Sequence, residues 1–182
     1  MVAVLKSTVH HLEATPDDGN RYELIDGELL ASKAPGLIHQ RTRGRVFYRL
    51  TDYLAHHPVG EALFNPGVVF DDYNGVIPDL VFVSSEREHI LTPRGLIDAP
   101  DLIVEIVSPG EKNSERHRQV KRRLYSVRGV REYWVADPEL RTIEIHRRQE
   151  YSLVLVATLH EGDILTRPLF PGFSCPVAEI FA

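Results

Sequence analysis

Cysteine is almost absent from this chain: of its 182 residues only Cys175 carries a thiol. One cysteine cannot close an internal disulfide or build a cysteine zinc centre, which suits a reducing, cytoplasmic location. Long apolar runs are missing too. No stretch approaches the roughly 18 apolar residues that a membrane-spanning helix needs, and the N-terminal segment has neither the apolar core nor the cleavage site of a secretory leader. Aromatic residues are scarce, 8% with a single Trp, too few for a platform on which unpaired bases would stack. Repeats, low-complexity tracts and Pro/Gly/Ser-rich linkers are lacking, so a single domain over 1–182 is expected, with 1–19 as an N-terminal extension.

What the chain has is an ordinary globular composition, 43% hydrophobic and 26% charged, and an uneven distribution of charge. The net charge is −5, yet seven of the 21 Lys and Arg residues fall within 112–130, where Glu115 is the one acid. A basic stripe on an acidic body suits contact with phosphates, and a solvated helix face explains it equally well. Arg41, Arg45 and Arg49 repeat every four residues on another helix face. Solubility is their plainer explanation and a second phosphate contact the sharper one.

Apolar periodicity predicts the elements. The run RYELIDGELL reads as two strands around Asp26-Gly27, a dipeptide that favours a tight hairpin. Val46, Phe47, Leu50, Tyr53 and Leu54 recur at helical spacing, predicting a helix over about 37–56 with that face buried. GVVFDD, IPDLVFVS and APDLIVEIVSP read as strands, the last two too apolar for a surface position. A basic helix is expected over about 113–127, ended by Gly129 in a left-handed cap. Three further strands follow: REYWVADP, TIEIHRRQ and SLVLVATL. The pattern is that of an α/β (α+β) fold with a mixed sheet flanked by helices.

Within these strands Glu105 stands out, because a carboxylate inside LIVEIV is costly to bury unless it meets a cation. Two prolines precede candidate partners, Asp79 and Asp101. Side chains at 101 and 105 share a face but lie about 13 Å apart, too far for one ion with ligand distances near ~2.1 Å. Asp79 lies beside Glu105 only if the two strands pair, and this pairing is expected; Asp101 is expected to begin its strand. Oxygen ligands without clustered His or Cys favour a hard ion, Mg²⁺ or Mn²⁺. None of the nine histidines forms an H-E-x-x-H pattern.

Pro78-Asp79 followed by Glu105-Ile106-Val107 resembles the PD-(D/E)xK nuclease signature. With YELIDGEL (22–29), His39-Gln40, PDLVFV (78–83), APDLIVEIVSPG (99–110) and KRRLYSVRGVREYWVADP (121–138), the chain resembles the Uma-type restriction endonuclease family of bacteria over about 20–182. That resemblance implies a restriction-endonuclease-like core, a divalent metal and hydrolysis of DNA phosphodiesters. It implies Asp79 and Glu105 as metal-binding carboxylates, the Ile106 carbonyl as a further ligand, and Glu28 as the acid of the N-terminal element, unless Glu28 is a solvated hairpin charge. Val107 stands where the superfamily has its lysine, and Lys121 on the following helix matches the displaced one. A helix stem can be buried while its ammonium reaches the carboxylates. His117 replaces an acid common one turn before that lysine.

Arg118, Arg122, Arg41 and Arg45 are the expected DNA contacts. A homodimer is expected if both strands of a duplex are cut, with SLVLVATL and LFPGF (169–173) as interface segments or as ordinary packing. The competing readings are a DNA-binding or interaction module that keeps the fold without the reaction, and a structural protein whose buried acid is only paired with Lys121.

Overall fold

The computed structural model describes residues 6–108 and 114–182. Helices α1 (Val9–Leu12), α2 (Leu37–His56), α3 (Ser114–Arg128) and α4 (Ala178–Phe181) accompany strands β1 (Arg21–Ile25), β2 (Glu28–Ser32), β3 (Gly60–Phe64), β4 (Val68–Asp71), β5 (Asn74–Val76), β6 (Leu80–Ser84), β7 (Leu91–Thr92), β8 (Gly95–Leu96), β9 (Leu102–Ile106), β10 (Glu132–Asp137), β11 (Thr142–Gln149), β12 (Ser152–Leu159), β13 (Ile164–Arg167) and β14 (Phe170–Pro176). A 3₁₀ turn, Ser85–Ile90, follows β6. Among the described residues, no helix is long and apolar enough to cross a membrane.

The strands form two mixed six-stranded sheets and a small hairpin. One sheet has the order β12-β11-β10-β9-β6-β3, the other β2-β1-β5-β4-β8-β7, and β13 pairs with β14. One sheet was expected. The second joins the expected strands β1, β2 and β4 through β5, β7 and β8, which have two or three residues each and are too short to leave an alternating pattern in the sequence. In the first sheet β9 and β10 run parallel while β6 runs antiparallel to β9, the order that a helical crossover through α3 permits.

Alternation along these central strands separates two cores. Leu80, Phe82, Leu102, Val104, Trp134 and Ala136 join Val46, Leu50 and Leu54 of α2, together with Phe170 and Phe173 of β14. Val81, Val83, Ile103, Tyr133 and Val135 join Leu124 and Tyr125 of α3 and Val68, Val76 and Leu96 of the second sheet. A pleated strand buried on both faces yields this even/odd partition. The central sheet is therefore clasped between α2 and α3.

The hairpin β1–β2 turns at Asp26 (φ 53°) and Gly27 (φ 80°), the left-handed pair its dipeptide favours. α3 ends as expected: Gly129 has φ 93°, and the Val130 N–H reaches back to the Tyr125 carbonyl at 3.2 Å.

Candidate active site

The expected strand pairing is present. β6 and β9 pair as Leu80↔Val104, Val81↔Ile103 and Phe82↔Leu102, a register that sets Asp79, just before β6, across from Glu105. The Ile106 N–H donates to Asp79 Oδ2 at 2.9 Å. Asp101, by contrast, is buried where β9 begins, accepting the Ser84 N–H at 2.8 Å and facing Arg131 Nη1 at 3.0 Å. It holds strands together, far along β9 from Glu105.

Glu105 finds the partner its apolar surroundings demand. Lys121 Nζ of α3 donates to Glu105 Oε1 at 2.9 Å, and the Tyr125 hydroxyl, one turn further on, donates to the same oxygen at 2.8 Å. Lys121 also donates to Glu23 of β1, at 3.0 Å to Oε1 and 2.9 Å to Oε2. Glu23 Oε1 accepts the Ile77 N–H at 2.8 Å. One buried carboxylate thus ties β1, the backbone leading into Pro78-Asp79 and the lysine of α3 together.

Glu28 is not part of this cluster. It lies at the turn end of the hairpin, opposite Ile25 and exposed, whereas Glu23 pairs with Leu30 further in and is 6% exposed. Two residues along a strand are about 7 Å, enough to separate a solvated hairpin acid from a buried one. A signal for Glu23 existed: the Asp26-Gly27 turn puts 23 and 25 on one face, so Glu23 shares a strand face with Ile25, which is buried.

Asp79 is 1% exposed and held from the other side by α2. His39 Nε2 lies 3.0 Å from Oδ2, while Arg21 Nη1 and Arg43 Nη1 approach Oδ1 at only 3.4 and 3.9 Å. His39 itself is buried, and its Nδ1 has no hydrogen-bond partner among the described residues.

Electrostatics follow from these contacts. Burial opposes the charge on Asp79, but the hydrogen bond and field of His39, the Ile106 N–H and Arg21 outweigh it and hold the carboxyl below its usual range. Burial pushes the Glu105 carboxyl up to about 7; Lys121 works against this, and Asp79 and Glu23 add to it. Burial also works against the Lys121 ammonium, yet Glu105 and Glu23 more than offset it and raise its pKa far above the usual range. The lysine is a fixed cation between two acids that compete for it.

A cavity of about 110 Å³ opens over this cluster, walled among others by Asp79, Glu105, Ile106, Lys121, Arg118 and His39. Of the expected DNA contacts, Arg118 lines it; Arg122 is exposed and acts on His146 instead. The side chain of His117 lies outside those described.

The donor set fits a hard divalent ion. Asp79 Oδ2 is taken by His39 and Ile106, leaving Oδ1 with long contacts alone; Glu105 Oε1 is taken by Lys121 and Tyr125, and Oε2 has no hydrogen bond among the described residues. Beside the same cavity, Glu105 thus keeps one oxygen without a hydrogen bond among the described residues, and Asp79 keeps one held only by the 3.4 Å hydrogen bond from Arg21 and the longer contact with Arg43. No group of three or more His, Cys, Asp or Glu residues arranged to hold an ion occurs among the described residues. An ion here would complete its shell with backbone oxygen and water, as Mg²⁺ commonly does.

A family model described as "Uma2: Putative restriction endonuclease" matches residues 8–178. The chain belongs to the Uma2 family. A solved structure, titled as a putative nuclease belonging to DUF820 from Anabaena variabilis ATCC 29413, is 17% identical to this Uma2 chain, with a TM-score of 0.75, covering 96% of this chain and 97% of that one. At that identity the likeness shows a shared fold and no more. No curated protein matches the chain.

Proposed function

We propose that this Uma2 protein is a metal-dependent DNA endonuclease that hydrolyses phosphodiester bonds. The observation that carries the reading is the meeting of Asp79, Glu105 and Lys121 around one cavity, drawn from a strand start, a neighbouring strand and the next helix. Asp79 and Glu105 would hold Mg²⁺ or Mn²⁺, with the Ile106 carbonyl as a further ligand. Such an ion, when bound, polarises a phosphoryl oxygen and lowers the pKa of a coordinated water.

The chain's own residues supply the rest. Lys121, protonated and aimed by Glu23, stabilises charge growing on the phosphoryl oxygens or orients the attacking water. His39 and the Ile106 N–H fix the Asp79 carboxylate so that Oδ1 is the oxygen it offers. Arg118 and Arg122 on α3, and Arg41 and Arg45 on α2, hold the DNA backbone without reading its sequence. A homodimer would bring two such sites to one duplex, and β12, an edge strand without a charged side chain, is the surface for it. The single buried thiol, Cys175, agrees with a cytoplasmic setting.

Incubation of plasmid DNA with Mg²⁺ or Mn²⁺ tests the proposal. Nicking or linearisation by the wild-type protein, abolished by EDTA and by Asp79→Ala or Glu105→Ala with the fold intact, is expected. Undiminished cleavage by both variants refutes it. A fold kept without its reaction would bind DNA and never cut it.

A further inference from the structure

Helix α2 distributes its arginines unequally. Arg43 donates to Asn65 at 2.8 Å beside Asp79, and Arg49 pairs with Glu179. Arg41 and Arg45, one turn apart, form no ion pair or hydrogen bond through their side chains among the described residues. Both line a second cavity, of about 150 Å³, with Ile38, Pro138, Arg141 and Phe181. Arg141 comes from the β10–β11 connection and pairs with Glu161. No Asp or Glu side chain lines the cavity; Ala182, the last residue of the sequence, does, and no ion pair joins it to Arg41 or Arg45 among the described residues.

Like charges at i and i+4 on a helix repel, and a third guanidinium beside them adds to the cost. In a chain with a net charge of −5, acids are available to neutralise such a group; here a single one, Glu161, does so for Arg141 alone. Guanidinium forks match the oxygens of a phosphate in pairs. A cavity walled by three of them, with Pro138 and Phe181 shielding one side, is shaped to hold an oxyanion.

Its place in the fold says which oxyanion. β9, β10 and β11 are neighbours in the central sheet. Glu105 and Ile106 end β9, while Pro138 and Arg141 join β10 to β11. Two strand spacings are about 10 Å, a span that a nucleic-acid backbone covers within a few nucleotides. α2 bridges the two cavities, with His39 in the wall of the first and Ile38 and Arg41 in the wall of the second.

We propose that Arg41, Arg45 and Arg141 form a phosphate subsite that holds the nucleic-acid backbone to one side of the bond placed over Asp79 and Glu105. The inference rests on the nuclease reading and adds a second, built contact to it, with Arg141 as a member that sequence spacing could not supply.

The test pairs two probes on wild-type protein and the Arg41→Gln/Arg45→Gln double variant. Inorganic phosphate, titrated by ¹H–¹⁵N NMR, is expected to shift amides of residues 37–45 and 137–142 in the wild type and to leave them unmoved in the variant. A 20-base-pair duplex, followed by fluorescence anisotropy between about 50 and 200 mM KCl, is expected to bind the variant about tenfold more weakly, with a log–log salt slope shallower by about 1. Thermal stability and Mn²⁺ affinity are expected to stay at wild-type values. Equal duplex affinity and slope in the two proteins overturn the subsite, as does phosphate that moves none of these amides. Phosphate binding without any duplex binding by the wild type overturns its assignment to nucleic acid. Duplex binding that follows the prediction, without metal-dependent cleavage, upholds the subsite and removes the nuclease reading.

Discussion

Glu23 and Lys121 meet at 2.9 Å across 98 residues of sequence, and the contact joins the two large sheets through α3. Because Glu23 also accepts the Ile77 N–H, the approach to Asp79 and the position of the lysine are set by one side chain. The pair predicts a contrast between two acids of the same hairpin. Glu23→Gln keeps the shape but weakens the hold on Lys121, so cleavage is expected to fall by 10-fold or more in kcat. Glu28→Gln, at an exposed turn end, is expected to change stability by no more than about 0.5 kcal/mol and to leave cleavage intact. Single-turnover kinetics on both variants, with melting curves, check this.

Lys121→Met leaves Glu23 and Glu105 buried without their shared cation; their side chains are 8% and 12% exposed. Removing one partner of a buried ion pair costs about 3–5 kcal/mol. The loss is expected to shrink as the pH falls, because without the lysine burial and Glu23 hold the Glu105 carboxyl above the value of about 7 it has beside Lys121, and the proton it takes up removes its unpaired charge. Urea denaturation at pH 8 and pH 5.5 measures it. A loss independent of pH would show that the acids do not repel one another.

Two buried groups impose opposite pH slopes on stability. Glu105 moves from its usual 4.5 up to about 7 on folding, through burial first. Between those values the folded chain holds a proton that the unfolded chain lacks, so this group's contribution declines as pH rises. His146 moves from 6.5 down to about 4, because burial and the Arg122 charge disfavour its protonated form. The unfolded chain binds the extra proton there, so stability grows with pH across that interval. The slopes, each at most about 1.4 kcal/mol per pH unit, oppose one another between about 4.5 and 6.5. Glu105→Gln is expected to leave a rising stability profile and His146→Gln a falling one, read by chemical denaturation at half-unit steps.

The architecture was most legible where chemistry and pattern coincided. An acid in the apolar run of β9 demanded a cation, and the Pro-Asp before β6 could approach it only through strand pairing; both appear as expected. The Asp26-Gly27 hairpin and the bounds of α2 followed from turn chemistry and helical period. β3 escaped notice because Gly60–Phe64 is an edge strand whose residues are all exposed or half-buried. The exchange of Glu28 for Glu23 has the same root: alternation names a face of the hairpin, whereas depth along it depends on packing against α3. His39 gave no metal-ligand spacing, since its partner Asp79 lies 40 positions away and is met only through the tertiary fold.

On the proposed function, Asp79 Oδ1 and Glu105 Oε2 are the oxygens offered to one hard ion. Calorimetric titration of Mn²⁺ into the wild-type protein, Asp79→Asn and Glu105→Gln measures it most directly. Binding of about one equivalent by the wild type, weakened at least tenfold in each variant while the melting temperature holds, is the predicted result. Equal Mn²⁺ binding by all three proteins, or none by the wild type, would contradict it.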